Sequence, residues 1–283
     1  MNSVGLSHCS LLLFVLFVPA ASAADPAHDW LRRINHAART LSYEGVFVYQ
    51  QADRLQSMRV FHRFERGTVR ERLVALNGIG REVIRTGQEV HCYLPDANAV
   101  LVEHRKAGDK GFPNILPQSL AELEKNYTIE LGRTGRVANR KAQSIVIRPN
   151  DGFRYGHQLW ADEASGLLLM ASLVNDRGAM IEQFMFTQVN IGIPIADAQL
   201  EPHTRDQGLV WHRESTPPTA PSGSGPGLLP GRLPAGFALS TRMLRTLPPL
   251  KSPVEHLVYS DGLAVVSVVV EKLGEARAAP PVD

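Results

Sequence analysis

The chain has 283 residues, a length that predicts about two domains. Hydrophobic residues make up 44% and charged residues 20%, fractions that exclude a wholly disordered chain and a polytopic membrane protein. The formal net charge of +2 is too small to indicate a nucleic-acid partner by bulk electrostatics.

The first two dozen residues have the pattern of a secretory signal peptide. An apolar run at residues 11–18 is followed by Pro19 and by a small-residue triplet at residues 21–23. The run is much shorter than the roughly 20 residues that cross a bilayer, so a retained anchor is the weaker alternative. We therefore predict a signal peptide over residues 1–23 and a mature chain in a bacterial-type periplasm.

Residues 25–41 have the pattern of one amphipathic helix. Asp25 is a suitable N-cap, Pro26 fits the first helical position, and apolar residues over 30–41 recur at helical spacing. The sequence therefore predicts a helix whose apolar face packs on the rest of the domain.

After Ser42 the apolar period changes to about two, which is typical of half-buried β-strands. Short connections containing Gly, Asn or Asp, such as Asn77-Gly78, separate the segments as in antiparallel hairpins. About eleven strands are predicted before residue 200, together with a second helix over 117–126. Because helical crossovers are missing, we predict one large curled antiparallel sheet with helices against its concave face.

The clearest linker composition is the run of Pro, Gly and Ser at residues 216–227. It predicts a body over 24–200, a linker over 201–232 and a small, short C-terminal domain over 233–283. Three strands are expected in this last domain, at residues 238–244, 256–260 and 263–271.

Two groups of side chains are candidates for ligand binding. Apolar strand residues either fill an ordinary core, which periodicity alone favours, or line a concave surface open to a lipid-like ligand. The apolar candidates are Phe47, Met58, Val60 and Phe64. The long, basic, Gly- and Pro-containing connection at 104–117 indicates a mobile and functional loop. The basic candidates on it are Arg105, Lys106 and Lys110.

Motifs for catalysis and for metal binding are missing from the sequence. The histidines are scattered, and without the signal peptide Cys92 is the single cysteine, so we expect a small core residue there, no metal site and no cofactor. No catalytic residue is assigned, although an enzyme with two unobtrusive carboxylates remains the weaker alternative. Five carboxylates are predicted to form cross-strand pairs on a solvated face. They are Glu71, Glu82, Glu103, Asp162 and Glu163.

Several separated blocks of sequence resemble the MucB/RseB family of periplasmic sigma-E regulatory proteins. They occur in the family's order, and the resemblance covers nearly all of residues 25–272. The blocks are residues 42–49 (SYEGVFVY), 76–85 (LNGIGREVIR), 154–162 (RYGHQLWAD), 182–184 (EQF) and 257–263 (LVYSDGL).

The resemblance implies a mainly β (α+β) fold: a large unclosed antiparallel β-barrel of the lipoprotein-carrier type and a small C-terminal α+β domain. The C-terminal domain of the family is larger, so we expect the domain over 233–283 to be incomplete. It also implies a non-enzymatic regulator that binds the periplasmic segment of a membrane-bound anti-sigma factor and protects it from regulated proteolysis. Binding of lipid or a lipopolysaccharide-like ligand on the concave face would release this partner, and we expect the basic side chains of Arg105, Lys106 and Lys110 to meet the phosphate of that ligand. The alternative is a lipid or lipoprotein carrier without a regulatory partner, and a homo-oligomer is left open.

Overall fold

The computed structural model describes residues 25–87, 89–104, 112–113, 115–117, 119–204, 208–213, 230–245 and 254–271. The strands in these ranges form one sheet of twelve strands and one sheet of three strands. None of the helices in the same ranges has both the length and the hydropathy that a membrane crossing requires.

The first helix, α1, is Pro26–Thr40 and begins where the sequence predicts. The Asp25 carboxylate accepts a hydrogen bond from the Ala27 N–H at 2.9 Å, which satisfies one of the free donors of the first turn. Leu31 and Ile34 are fully buried on the apolar face of the helix. The expected amphipathic helix is confirmed.

Eleven strands precede residue 192, which confirms the predicted number and the predicted hairpins. Each is antiparallel to its neighbours in the order β6-β5-β4-β3-β2-β1-β11-β10-β9-β8-β7. Their bounds are β1 Tyr43–Gln51, β2 Arg54–Glu65, β3 Thr68–Ala75, β4 Glu82–Thr86, β5 Glu89–Leu94, β6 Ala99–His104, β7 Tyr127–Val137, β8 Arg140–Pro149, β9 Gly156–Asp162, β10 Leu168–Val174 and β11 Met180–Ile191.

A twelfth strand, β12 at Val210–Arg213, pairs in parallel with β6 and lies in the range that composition assigns to the linker. Trp211 fixes it through edge-on contacts with His91 and Tyr93, at ring-centroid distances of 5.7 and 6.1 Å. All four residues of β12 are exposed, so no alternation in the sequence marks the strand. The Pro- and Gly-rich residues 216–227 lie outside the described residues.

The large sheet is strongly curled but unclosed. Strands β7 and β11 touch although three strands separate them in the sheet, whereas the edge strands β12 and β7 are not paired with each other. Helix α1 and a second helix, α2 at Ala121–Asn126, pack inside the curl against β7, and α1 also touches β10. One apolar core joins both helices to the concave face, as predicted.

The second helix is shorter than the predicted 117–126. The Pro117 carbonyl accepts a hydrogen bond from Asn35 Nδ2 at 3.0 Å and is therefore tied to α1 before the helix begins. Leu123 is fully buried and Leu120 is half-buried, in agreement with the expected inward face. On the opposite face of the sheet, a one-turn helix α3, Asp197–Leu200, packs against β2 and β3.

The small sheet is an antiparallel meander of three strands at the expected positions. Its strands are β13 Ala238–Arg245, β14 Val254–Ser260 and β15 Val265–Val270. The predicted hairpin turn at residues 260–262 is present, and Gly262 in it has a φ of +96°, a backbone conformation that favours glycine.

Candidate functional site

The concave face carries three of the four apolar candidates as buried side chains. Phe47, Met58 and Val60 are 3%, 6% and 0% exposed, and Phe64 is half-buried near the end of β2. Phe47 and Met58 are direct cross-strand partners. The structure brings the candidates onto one face, and their role in ligand binding stays a prediction.

Four phenylalanine rings form a cluster on this face. The Phe112 ring stacks on Phe47 with centroids 4.2 Å apart, and its centroid lies 5.2 Å from that of Phe184 and 5.8 Å from that of Phe186. Alternation along β11 identifies Phe184 and Phe186 as members of one face. Sequence reasoning missed Phe112, because it lies outside every strand and no periodic signal identifies it.

A buried polar cluster adjoins the four rings. The Tyr43 ring stacks on His62 with centroids 4.7 Å apart, and His62 Nδ1 lies 3.0 Å from Glu71 Oε2. The Tyr43 hydroxyl donates a hydrogen bond to the Phe112 carbonyl at 3.3 Å. Burial, followed by the negative charge of Glu71, raises the pKa of Tyr43. Tyr43 therefore stays a protonated donor that supports the ring cluster, and not a base.

Three of the five carboxylates predicted on a solvated face are buried, so that prediction was wrong for them. Glu71, Glu82 and Asp162 are 3%, 4% and 2% exposed, while the other two are exposed. The prediction failed because alternation in the sequence cannot show that distant segments cover a face of the sheet. Each buried carboxylate has a partner that offsets its loss of hydration. The partners are His62 for Glu71, Arg72 for Glu82 and Arg140 for Asp162.

A buried ion pair, which we call the junction pair, joins the small sheet to the large one. Asp261, in the turn between β14 and β15, accepts hydrogen bonds from the Tyr127 hydroxyl at 2.7 Å and from Arg154 Nη1 at 2.5 Å. Both charged side chains are 0% exposed. Arg154 also donates to the Ala235 carbonyl at 2.6 Å and lies 4.9 Å from the Phe237 ring centroid. These contacts fix the small sheet on one end of the large sheet.

The junction pair is ionised at neutral pH. Burial alone would raise the pKa of Asp261, but hydrogen bonds from Tyr127 and from the N–H groups of Leu263 and Ala264, with the charge of Arg154, hold it below its ordinary value. Tyr127, which donates to Asp261, is affected as well: burial and the hydrogen bond to Asp261 raise the pKa of its hydroxyl. The ionised Asp261 carboxylate is thus the acceptor, and the Tyr127 hydroxyl and the Arg154 guanidinium stay protonated as its donors.

The remaining candidates show no catalytic arrangement. Burial raises the pKa of the half-buried Cys92 thiol, which opposes formation of a reactive thiolate. The described residues contain no group of three or more His, Cys, Asp or Glu side chains that could hold a metal ion. The basic candidates Arg105, Lys106 and Lys110 lie outside the described residues.

A small half-open cavity lies at the centre of the large sheet, lined by both polar and apolar residues of β1, β2 and β11. Its volume is about 210 Å³, below the 300–1,000 Å³ usual for small-molecule sites. Glu44, Arg59 and Asn190 line it, and Asn190 Nδ2 donates to Glu44 at 3.2 Å. These polar groups already satisfy one another in part, so the cavity is a weaker candidate than the concave apolar face.

Two family models match the chain, one over most of the large sheet and one over the small sheet. The family model for the MucB/RseB N-terminal domain matches residues 26–204, and the model for the MucB/RseB C-terminal domain matches residues 227–281. The chain belongs to the MucB/RseB family. The two matches leave residues 205–226 between them, and this gap contains nearly all of the Pro, Gly and Ser run at 216–227.

Relatives of this MucB/RseB family member are regulators of sigma factors. The sigma factor AlgU regulatory protein MucB of Pseudomonas aeruginosa is 35% identical over 288 residues, which cover 95% of this chain and 84% of MucB. The sigma-E factor regulatory protein RseB of Escherichia coli K12 is 28% identical over 264 residues, which cover 91% of this chain and 80% of RseB.

Solved structures of the same family share the fold. The Pseudomonas aeruginosa MucA/MucB complex matches with a TM-score of 0.72 and 32% identity, over 90% of this chain and 83% of that one. A crystal structure of MucB with MucA(peri) matches with a TM-score of 0.67 and 31% identity, over 89% of this chain and 82% of that one.

Proposed function

We propose that this protein is a periplasmic regulator, without enzymatic activity, that binds the periplasmic segment of a membrane-bound anti-sigma factor. It shields that segment from regulated proteolysis and so restrains the envelope-stress response of the sigma-E type. The observation that supports this proposal is the similarity of 90% of the chain to a MucB solved in complex with MucA, together with family matches to both sheets. The paired, inaccessible carboxylates of the large sheet agree with a binding role.

Both parts of the chain contribute to partner binding in this proposal. We infer a body over residues 24–200 and a C-terminal domain over 233–283, with the intervening residues as the connection. The junction pair supports a single arrangement of the two parts, because moving them apart would expose the buried charges or leave one of them buried without its partner. An extended partner segment that touches both parts would therefore depend on this pair.

A lipid or lipopolysaccharide-like ligand is proposed as the signal that releases the partner. The four-ring cluster on the concave face supports an apolar site, and a ligand shifts the equilibrium only if it prefers one arrangement of the molecule over the other. In the alternative function, a lipid or lipoprotein carrier, the same apolar face would act without any protein partner.

The test uses the mature chain and a fluorescein-labelled peptide of the periplasmic segment of the anti-sigma factor from the same bacterium. Two variants remove a buried aspartate charge: Asp261→Asn at the junction pair, and Asp162→Asn at the far end of β9 as the matched control. We expect the wild type to bind, Asp261→Asn to weaken binding about tenfold, and Asp162→Asn to change it less than about twofold.

Fluorescence anisotropy gives the dissociation constants, and digestion by the site-1 protease gives the protection of the peptide. Absence of peptide binding by the wild type would overturn the regulatory proposal. If the wild type bound anionic lipid vesicles but no peptide, the carrier would be the better assignment. Equal binding by both aspartate variants would refute the contribution of the C-terminal domain.

A further inference from the structure

Phe112 is the one ring of the four-ring cluster that does not belong to the sheet. Phe47, Phe184 and Phe186 are held in β1 and β11, and Phe47 is paired directly with Phe186 in the ladder. Phe112 instead comes from the connection between β6 and α2 and lies on the concave face with its ring stacked on Phe47. Three rings of the cluster belong to residues that are paired in the sheet, whereas Phe112 lies outside every described strand, so moving its ring breaks no pairing of the sheet.

The contacts of the Phe112 ring are apolar, so a hydrocarbon chain can replace them while the backbone carbonyl stays bound to Tyr43. The Phe112 ring meets three other rings, and the backbone carbonyl of the residue is held by Tyr43 through a long hydrogen bond of 3.3 Å. Dispersion and the hydrophobic effect have no directional requirement, so the methylene groups of an acyl chain can cover Phe47 as well as an aromatic ring does. An apolar space vacated by the ring would stay dry and accept an apolar guest.

A row of half-buried apolar side chains continues from the cluster along the concave face. Val60, Leu73, Val83 and Cys92 are successive cross-strand partners on β2, β3, β4 and β5. Neighbouring strands are about 4.8 Å apart, so the row extends over about 14 Å. Val60 is fully buried, whereas the other three are half-buried and offer apolar surface to a bound chain.

From this geometry we infer that the Phe112 ring occupies the start of a binding site for a single long acyl chain. The chain displaces the ring from Phe47 and then follows the row from Val60 to Cys92. The free protein is thus held in its ligand-free arrangement by its own side chain. This inference rests on the proposed lipid-responsive function and names the site and its occupant.

The displaced segment is connected to the small sheet. Five residues after Phe112, Pro117 packs against the hairpin turn of the small sheet, where a Cβ added to Gly262 would lie 3.2 Å from Pro117 Cβ. The neighbouring Asp261 belongs to the junction pair. Displacement of Phe112 therefore acts next to the contact that sets the arrangement of the two sheets, which gives a ligand a physical route to the partner-binding state.

The test measures binding of cis-parinaric acid, a fluorescent fatty acid, to the mature full chain. Phe112→Ala removes the competing ring, and we expect the dissociation constant to fall about tenfold, because a site blocked most of the time binds with only a fraction of its intrinsic affinity. The matched control is Phe153→Ala, which removes a ring that is 73% exposed and should leave the dissociation constant unchanged.

A second measurement leaves the side-chain size unchanged. With 4-fluorophenylalanine at position 112, saturating cis-parinaric acid should shift the ¹⁹F resonance, whereas the same label at position 153 should not respond. Equal or weaker binding by Phe112→Ala, or an unshifted resonance at position 112 under saturation, overturns the inference. If neither the wild type nor Phe112→Ala binds cis-parinaric acid, the inference is overturned as well. Failure of the regulatory proposal is a separate result, the absence of anti-sigma peptide binding.

Discussion

At the scale of single residues, the contact between the two sheets depends on complete pairing of one buried carboxylate. Asp261 accepts hydrogen bonds from Tyr127, from Arg154 and from the backbone N–H groups of Leu263 and Ala264. Burying an ion costs several kcal/mol, and only such saturation of its lone pairs offsets the cost. The pair therefore specifies one docking of the small sheet more than it adds net stability.

Gly236 illustrates a second constraint at the same contact. Its φ is +82°, and a Cβ on it would overlap the Asn126 carboxamide at the end of α2. We expect Gly236→Ala to lower the free energy of unfolding by about 1–3 kcal/mol, because both backbone strain and overlap oppose the methyl group. Gly231→Ala is the control: no heavy atom lies within 4 Å of that position and no positive φ is present.

Urea denaturation followed by tryptophan fluorescence measures both glycine variants. The control should be neutral or slightly stabilising, since alanine restricts the unfolded chain. Equal urea midpoints for Gly236→Ala and Gly231→Ala would show that the close approach of Gly236 to α2 does not limit the docking of the small sheet on the large one.

At the scale of elements, α1 is the part of the fold that local sequence describes best. Its cap, its N-terminal proline and its apolar spacing all agree with the observed Pro26–Thr40. The outcome differs for β12 and α2. A four-residue exposed strand has no alternation, and Pro117, in the segment before α2, is held by a hydrogen bond to Asn35, a residue 82 positions away.

The cap of α1 gives a prediction at this scale. Asp25→Ala should lower the free energy of unfolding by about 1 kcal/mol, because the Ala27 N–H loses its acceptor. Asp25→Asn keeps an acceptor of the same shape and should cost much less. Thermal unfolding of the mature chain by circular dichroism measures the difference. A loss of equal size in both variants would mean that charge, and not capping, is responsible.

At the scale of the whole molecule, carboxylates buried in separate regions share one electrostatic property. Burial by itself would raise the pKa values of Glu82, Asp162 and Asp261, but hydrogen bonds and nearby arginines outweigh it and hold all three below their ordinary values. Folding therefore favours the ionised form at three places in the two sheets. The unfolded chain binds more protons than the native protein as the solution becomes acidic.

This difference predicts the sign of the pH dependence. The stabilisation is complete above the unfolded pKa values of about 4, so it is constant at neutral pH, and it is lost as the pH falls through the lower native values. The free energy of unfolding in urea should be nearly constant from pH 7 to about pH 5 and decline below it. Asp162→Asn should reduce the slope of the acid limb. A free energy that rises on acidification would contradict the assigned direction.

Much of the fold follows from local patterns. The change of apolar period after Ser42, the glycines and asparagines that permit tight turns and the Pro/Gly run are all local signals, so strands, hairpins and the two-part division are visible in the sequence. Phe47, Met58 and Val60 belong to a predicted face for the same reason. Phe112 does not, because its place on that face results from long-range packing.

The sequence by itself thus determined the mainly β character of the chain, its succession of strands and hairpins and its resemblance to the MucB/RseB family, since these depend on composition, periodicity and ordered motifs. Tertiary structure alone decided the burial of Glu71, Glu82 and Asp162, the junction pair and the stacking of Phe112 on Phe47. Those features join residues that are distant in the chain. Whether a charge is paired or a ring covered depends on the surfaces that the curled sheet brings together, which no local pattern encodes.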